Sequence, residues 1–533
     1  MKKTIKNINR SVLAGTLGIL ILVTSCKEVT DLQPNSSFSE ESAFSSPARV
    51  ALAMTGVYSA AQMGVYTSGA IERGYPFGAA NTIQQDARGE DVIAVPSFFG
   101  ITYEGTYGIN TANNTAMWET SYALINRANV VIEGVQKAGA AGIIPAALAL
   151  QYEGEARFLR ALAHHELLVH FARPYSHTPG ATHPGVPYRT VAASSPSAVD
   201  ANKSQSRNSV KDCYDKILVD LDFAETNLPA TYAAGLKVSR ATKGAAIAIK
   251  TRINLHIGNW AAVVTEGNKI ISGTATFTSP IGGYALTATP NGPFITASNL
   301  TNSESIFSIE NSTTRNAGTN GSISTMYTKA AGRALVAISP IIFNAPFWLP
   351  ADLRRTSLTA TDGRGYFSAK YPDFVTWTDA NPIIRYAEVL LNVAEANSRQ
   401  SAAPSPQALA LLNAVRNRAV TTAASQYTIA SFATGAALTQ AILNERRIEF
   451  LAEGHRWGDI HRLVNDTPYS TGGIPSKVAY GNTTIASWNP AVPYAGTRSV
   501  AAIPYSDFRF IWPIPVSETN TNPTLKDQQN PDW

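Results

Sequence analysis

Two groups of residues in this chain have the types and spacing that catalysis uses, and both lie on stretches with helical periodicity. His165-Glu166-Leu167-Leu168-Val169-His170 approaches the His-Glu-x-x-His signature of zinc hydrolases. Its second histidine stands five residues after the first, not four. Five residues turn a helix by about 500°, roughly 140° beyond a full turn, so the two rings leave on different faces. No third ligand is evident, and the stretch reads as a helix with partly buried histidines rather than a metal site. Glu388 and Glu395 lie seven apart on one helix face and could imitate a glycosidase's carboxylate pair. Arg385 and Arg399 are placed to neutralise them, which favours structural ion pairs. There is no Gly-x-Ser-x-Gly elbow and no Walker loop. The sequence therefore points away from an enzyme and calls for no cofactor.

The elements that must hold these residues are mostly helical. Leu438 to Arg462 reads as one long helix, with Leu438, Ile442, Ile448, Leu451 and Ala452 at helical spacings and Thr434 ahead as a cap. Glu445, Arg446, Arg447, Glu449, Glu453, Arg456, Asp459 and Arg462 are interleaved with apolar residues on nearly every face. A solvated helix keeps its charges on one side, so some of these must be buried and paired. Arg446 can reach Glu449, Glu453 can reach Arg456, and Arg456 can reach Asp459. Gly454 and Gly458 leave a bare strip where another segment's backbone can approach. The expected role is a structural clamp; an exposed charged helix is the competing reading.

Helical hairpins are expected over about 40–63, 113–171, 209–264 and 383–463. Trp118-x3-Tyr122 and Ala156-x6-Ala163-x7-Phe171 are loose versions of tetratricopeptide spacing. Segments of about 64–110 and 267–380 carry Gly, Thr, Asn and Pro and read as loops and short strands. The predicted fold is mostly α: a tetratricopeptide-like scaffold of helical hairpins with a large irregular insertion, in a single unit over 40–533.

With 44% hydrophobic and 15% charged residues over 533 positions, the chain can bury a large core with few charges. Lys2, Lys3, Lys6 and Arg10 precede the short apolar run Val12–Val23, the pattern of a secretory signal rather than a spanning helix. Removing residues 1–25 takes away four bases and no acids, so the formal charge falls from +5 to about +1. Nucleic-acid binding is therefore not expected. Val23-Thr24-Ser25-Cys26 is similar to a bacterial lipobox, in which Cys26 becomes the lipidated first residue, with residues 26–39 as a tether. Cys213 reads as a small buried apolar residue.

These motifs together resemble the SusD/RagB family of outer-membrane nutrient-binding lipoproteins. The most specific stretch is Asn444-Glu445-Arg446-Arg447-Ile448-Glu449-Phe450, followed by Glu453-Gly454-His455-Arg456-Trp457 and Asp459. Asp352-Leu353-Arg354-Arg355, Ile384-Arg385-Tyr386-Ala387-Glu388, Ala394-Glu395-Ala396, Trp512-Pro513-Ile514-Pro515 and Gln529-Asn530-Pro531 add to it. Gly458 departs from the pattern, where the family often has an aromatic residue. The resemblance implies a non-enzymatic lipoprotein at the cell surface, held to the outer membrane by lipid. It would sit over a SusC-like TonB-dependent transporter and hand it oligosaccharides, or in some members peptides. A structural lid with little affinity of its own is the further alternative.

Sugar rings present apolar C–H faces that stack on aromatic side chains, while Asn, Asp and Arg bond the hydroxyls. Such aromatics must be exposed, so they belong in loops. Trp118 and Trp457 fall on helical periods and read as core; Trp260 fits either role. Phe98, Phe99, Tyr103 and Tyr107 in the first irregular segment, and Tyr327, Trp348 and Trp377 in the second, are the candidate platforms. Asn81, Asp86, Arg88 and Asp91 are candidate polar partners. For each, a locally packed loop residue is the competing reading. The broader expectation places the ligand between segments 66–110 and 280–380.

Overall fold

A computed structural model describes residues 40–64, 74–95, 98–329, 332–490 and 492–533. The expected signal segment, Cys26 and the tether fall outside the described residues. The fold is mostly α. Helices α1 (Pro47–Met63) and α2 (Ala79–Ala87) precede a hairpin of α3 (Ala112–Ala140) and α4 (Ala146–Phe171). Then come α5 (Pro196–Lys203), α6 (Val210–Asn227), α7 (Lys243–Ile257) and α8 (Trp260–Gly267). A last group holds α9 (Tyr386–Arg399), α10 (Pro406–Arg416), α11 (Gly435–Glu449) and α12 (His455–Leu463). Neighbours pack in succession: α3 on α4, α4 on α6, α6 on α7, α7 on α8, and α9 against α8, α10 and α11. Side-chain oxygens of Ser209, Thr242, Ser405 and Thr434 each accept a first-turn amide, which fixes where α6, α7, α10 and α11 begin. Trp118, Trp457 and Cys213 are core residues. Among the described residues no helix is long and apolar enough to cross a membrane.

The two irregular segments carry short strands: β1 (Val92–Ala94), β2 (Ser305–Ile309), β3 (Val336–Ile338), β4 (Thr359–Thr361), β5 (Tyr366–Ser368) and β6 (Asn381–Arg385). They form antiparallel ribbons β1–β3, β2–β6 and β4–β5. In the first, Val92 faces Ile338, so segments some 240 residues apart are joined by main-chain bonds. Two expectations need correction. The first irregular segment contains a true helix, α2, whose Asn81, Gln84 and Asp86 are buried rather than solvated, so it lacks an apolar period. Residues 383–385, expected to open a helix, end β6 instead, because Arg385 must extend to reach Glu304 across the ribbon.

The charged stretch is two helices, not one. α11 ends at Glu449, and the chain turns through Ala452 (φ 66°) and Gly454 (φ 78°) before α12 begins. A Cβ on Gly454 would stand 3.2 Å from the Thr82 Cα, so the bare corner admits the backbone of α2. At Gly458 only a side chain approaches, that of His256.

The charges of this corner are buried, as a clamp requires, but they pair across the fold and seldom within the stretch. Arg385 reaches Glu304 at 2.5 Å, Glu453 at 2.8 Å and Glu449 at 3.1 Å. Arg354 reaches Asp352 at 2.7 Å, Glu445 at 2.6 Å and Glu449 at 2.9 Å. Lys370 meets Glu453, Arg416 meets Glu445, and Arg418 meets Glu304 and Glu449. Five carboxylates and five cations thus form one neutral network. Next to it Asp459 accepts from Arg446 and Arg462, and Arg462 also holds Glu395. The expected Arg446–Glu449, Glu453–Arg456 and Arg456–Asp459 pairs give way to these, since long-range guanidinium forks satisfy buried carboxylates more fully than neighbours on one helix. Burial alone would raise Glu449, but Arg418, Arg385 and Arg354 outweigh it and hold the carboxyl well below its usual range. Glu388 and Glu90 are likewise pushed down, each to about 2, by nearby arginines acting against burial.

Arg385→Ala takes one cation from each of three buried carboxylates and leaves the network one positive charge short, so it should lower the unfolding free energy by roughly 3–5 kcal/mol in urea titration. An unchanged midpoint would show that the network is not part of the frame. Depressed carboxyl values stabilise the fold above the unfolded-state value and lose that contribution as pH falls through the folded one. The melting temperature should therefore drop steeply below about pH 4.5.

Candidate functional site

The enzyme-like motifs dissolve into packing. His165 and His170 do leave α4 on different faces: His165 meets His256 edge-on at 4.8 Å between ring centroids, and His170 stacks on Trp512 at 4.4 Å. Burial pushes His165 down to about 3, so it is neutral. Glu388 pairs with Arg252 at 2.6 Å rather than with Arg385, while Glu395 pairs with Arg399 as expected, at 2.8 Å, and with Arg462.

Most of the candidate binding residues are also buried, which corrects the expectation that loop aromatics here are exposed. Phe99, Tyr103, Tyr107, Tyr327 and Trp348 are all less than 5% exposed. The Tyr103 hydroxyl donates to the Val478 carbonyl at 2.6 Å, and the Tyr107 hydroxyl to that of Arg509. Trp348 packs edge-on against Phe343 with the Arg355 guanidinium 4.3 Å from its ring. The ribbons of the irregular segments are only three to five residues long, so their aromatics must supply much of the apolar contact that anchors them. The polar candidates are internal as well. Asn81 donates to Glu166 and meets His170. Asp91 accepts from Arg447, and Arg88 lies 3.4 Å from the Trp457 ring. Asp86 accepts the Tyr327 hydroxyl at 2.6 Å and the Gly454 amide at 3.1 Å.

Two candidates keep accessible surface. Trp377 is half-buried at the tip of a turn, held at φ 59° because Asp373 gathers the Thr376 and Thr378 amides. Phe98 is half-buried and lies edge-on to Phe99 at 5.4 Å. It faces a hollow of about 140 Å³ lined by Ala80, Phe98 and Phe99 from the first segment and Asn320, Met326, Arg333 and Leu335 from the second. The two segments thus share one cavity. Its far wall is a bracket closed by Leu335 N to Met326 O and Arg333 N to Thr325 O, and Val95 N to Leu335 O ties that bracket to the near wall. Asn320 and Arg333 are exposed and bonded to each other at 3.1 Å. Sequence reasoning missed both, and only the Gly-rich turn around Asn320 hinted at an exposed position. An aromatic face beside a guanidinium and an amide, with no carboxylate among the described lining residues, suits a polyhydroxylated ligand and lacks an acid–nucleophile pair.

Comparison with known proteins gives the same frame. A family model described as "SusD family" matches residues 359–533, and one described as "Starch-binding associating with outer membrane" matches residues 30–255. The chain belongs to the SusD/RagB family. It is 26% identical over 402 residues to "SusD-like protein P2" of Formosa agariphila, covering 67% of this chain and 73% of that one. A crystal structure of a SusD superfamily protein from Bacteroides fragilis matches with a TM-score of 0.73 at 26% identity, over 90% of this chain and 99% of that chain. A "Laminarin binding SusD-like protein" shares the fold, with a TM-score of 0.66 at 19% identity over 92% of this chain and 100% of that one.

Two features of this SusD/RagB chain are open to direct measurement. Burial raises Asp86 to about 7, against the lowering effect of its two hydrogen bonds. A raised carboxyl favours folding while protonated and loses that advantage as pH climbs from about 4 to 7. Asp86→Asn should therefore gain stability over the wild type between pH 5 and 7.5, by a few kcal/mol at most. A pH-independent difference in melting temperature would contradict it. At Gly458 an added Cβ would stand 3.5 Å from His256, an ordinary contact, beside a partly open pocket of about 60 Å³. Gly458→Ala should stabilise the helix by about 1 kcal/mol; a lowered denaturation midpoint would mean that the pocket cannot lose that space.

Proposed function

We propose that this protein is a surface glycan-binding lipoprotein. It is anchored through Cys26 in the outer membrane, takes an oligosaccharide at the Phe98 hollow and passes it uncut to a TonB-dependent transporter. The observation that carries this reading is the shared cavity. There, among the described residues, the two irregular segments meet around a half-exposed aromatic, Phe98, with Asn320 and Arg333 at the mouth. Its volume of about 140 Å³ is below the roughly 300–1,000 Å³ of sites that swallow a ligand, so it would seat one ring of a chain that continues into solvent. Such partial engagement suits capture and release. The starch-binding description of the N-terminal family model and the laminarin-binding fold relative support a glycan as the cargo. A peptide groove lined by acidic groups is the alternative, and a mouth that carries Arg333 and no carboxylate among its described residues speaks against it.

Calorimetry against a panel of glycans and peptides tests the reading. Phe98→Ala should weaken glycan binding about tenfold, on the order of 1.4 kcal/mol, with the melting temperature moved by no more than a few degrees. Arg333→Ala should weaken it too. If both variants bind as the wild type does and Trp377→Ala does not, the site belongs to the Asp373 turn.

A further inference from the structure

A second and larger groove lies on the other side of the same loop. It measures about 280 Å³ and runs between α1, the turn at 236–240 and the chain that leaves β2. Its floor is electrically quiet. The Tyr58 hydroxyl donates to Glu155 at 2.7 Å, and Arg240, 4.7 Å from the Tyr58 ring, pairs with the same carboxylate at 2.9 Å. Its wall is held in place beforehand: the Gln62 amide donates to the Glu310 carbonyl, the Asn311 side chain and the Arg315 carbonyl. Ser239, only 6% exposed, lines the groove, and its hydroxyl has no hydrogen-bond partner among the described residues. A buried unpartnered hydroxyl costs free energy that an incoming polar group would recover. Thr55, Ser59 and Ser312 add hydroxyls at the mouth, Leu236 adds an exposed apolar edge, and Glu310 and Arg315 contribute charges of opposite sign.

These features select the ligand. Opposite charges at the rim give no preference for an anion or a cation. The neighbouring strand offers no edge to a peptide, since β2 pairs with β6 on one side and Ser308 N donates to Val238 O on the other. What fits is a neutral polyol with one apolar face. The chain 310–321 also connects the two cavities: Arg315 lines this groove and Asn320 lines the Phe98 hollow. Five residues span at most about 17 Å of extended chain.

We propose that this groove is a second binding site for neutral saccharide, engaged by another part of the same polymer that enters the Phe98 hollow. The proposal rests on the reading that the protein binds glycan. Two linked sites raise avidity for long chains, because the second contact forms at high effective concentration, and leave short ones unaffected.

The test uses the mature chain in native gels containing laminarin or soluble starch, and calorimetry with the matching trisaccharides. Ser59→Trp fills the mouth from α1 and Ser312→Trp fills it from the opposite wall; the second variant covers a folding failure of the first, judged by melting temperature. Either should lose tenfold or more affinity for polymer while keeping wild-type affinity for the trisaccharide. Phe98→Ala should weaken both. If folded Ser59→Trp and Ser312→Trp bind polymer as the wild type does, the groove is not a site. If instead Phe98→Ala binds normally and the groove variants do not, the hollow is misassigned and the groove stands. A wild type that neither polymer retards overturns both readings.

Discussion

The structure depends on a set of buried charges that can be satisfied in only one arrangement. Glu449 accepts from Arg354, Arg385 and Arg418; Arg385 and Arg418 also hold Glu304, and Arg354 also holds Asp352 and Glu445. Residues near 304, 352, 370, 385, 417 and 449 must therefore converge together or not at all. Desolvating so many ions is costly, and apolar residues of the same size could fill the space with less penalty. An apolar cluster, however, tolerates small slides, whereas a guanidinium fork meets a carboxylate in one orientation. The network fixes the register of the irregular insertion on the helices, in a region where strand pairing is too short to do so.

The same corner also sets the distance between the two walls of the hollow. On the near side Asp91 holds Arg447, Glu90 holds Arg456 at 2.7 Å, and Asp86 takes the Gly454 amide. On the far side Lys370 holds Glu453 at 2.6 Å, and the Tyr371 hydroxyl donates to the Ala452 carbonyl at 2.9 Å. Both irregular segments are therefore tied to one turn, residues 447–456, and meet each other across β1 and β3. Asp86 sits where the three parts join, since its second oxygen takes the hydroxyl of Tyr327 on the far wall. Segments without regular structure become a rigid rim because their ends are fixed to a common support.

Much of the frame was legible in the sequence. Helices α3, α4, α6 and α7 follow their apolar periods, and charges on every face of the Glu445–Arg462 stretch implied burial. The pairing partners were not legible, since nothing local says that Arg385 will find Glu304 or that Arg447 will find Asp91. The break at Gly454 was hidden for the same reason: a positive φ is adopted there because Thr82 of α2 presses on the corner. The site was read least well. Tyr103, Tyr327 and Trp348 have the composition of sugar platforms, yet they serve as the apolar cores of their own loops. What distinguishes Phe98 from Phe99 is a difference of facing between adjacent residues, which no periodicity encodes.

This arrangement separates two tasks that a single cluster could not perform. The charged corner must exclude water, because its ion pairs weaken in high dielectric, and it must not move. A ligand rim must be wet, since its polar groups have to exchange water for cargo and then exchange back. Phe98, Asn320 and Arg333 lie on turns beyond the network and contribute little to its burial. Their side chains can change, and with them the cargo, without exposing a charge that holds the frame.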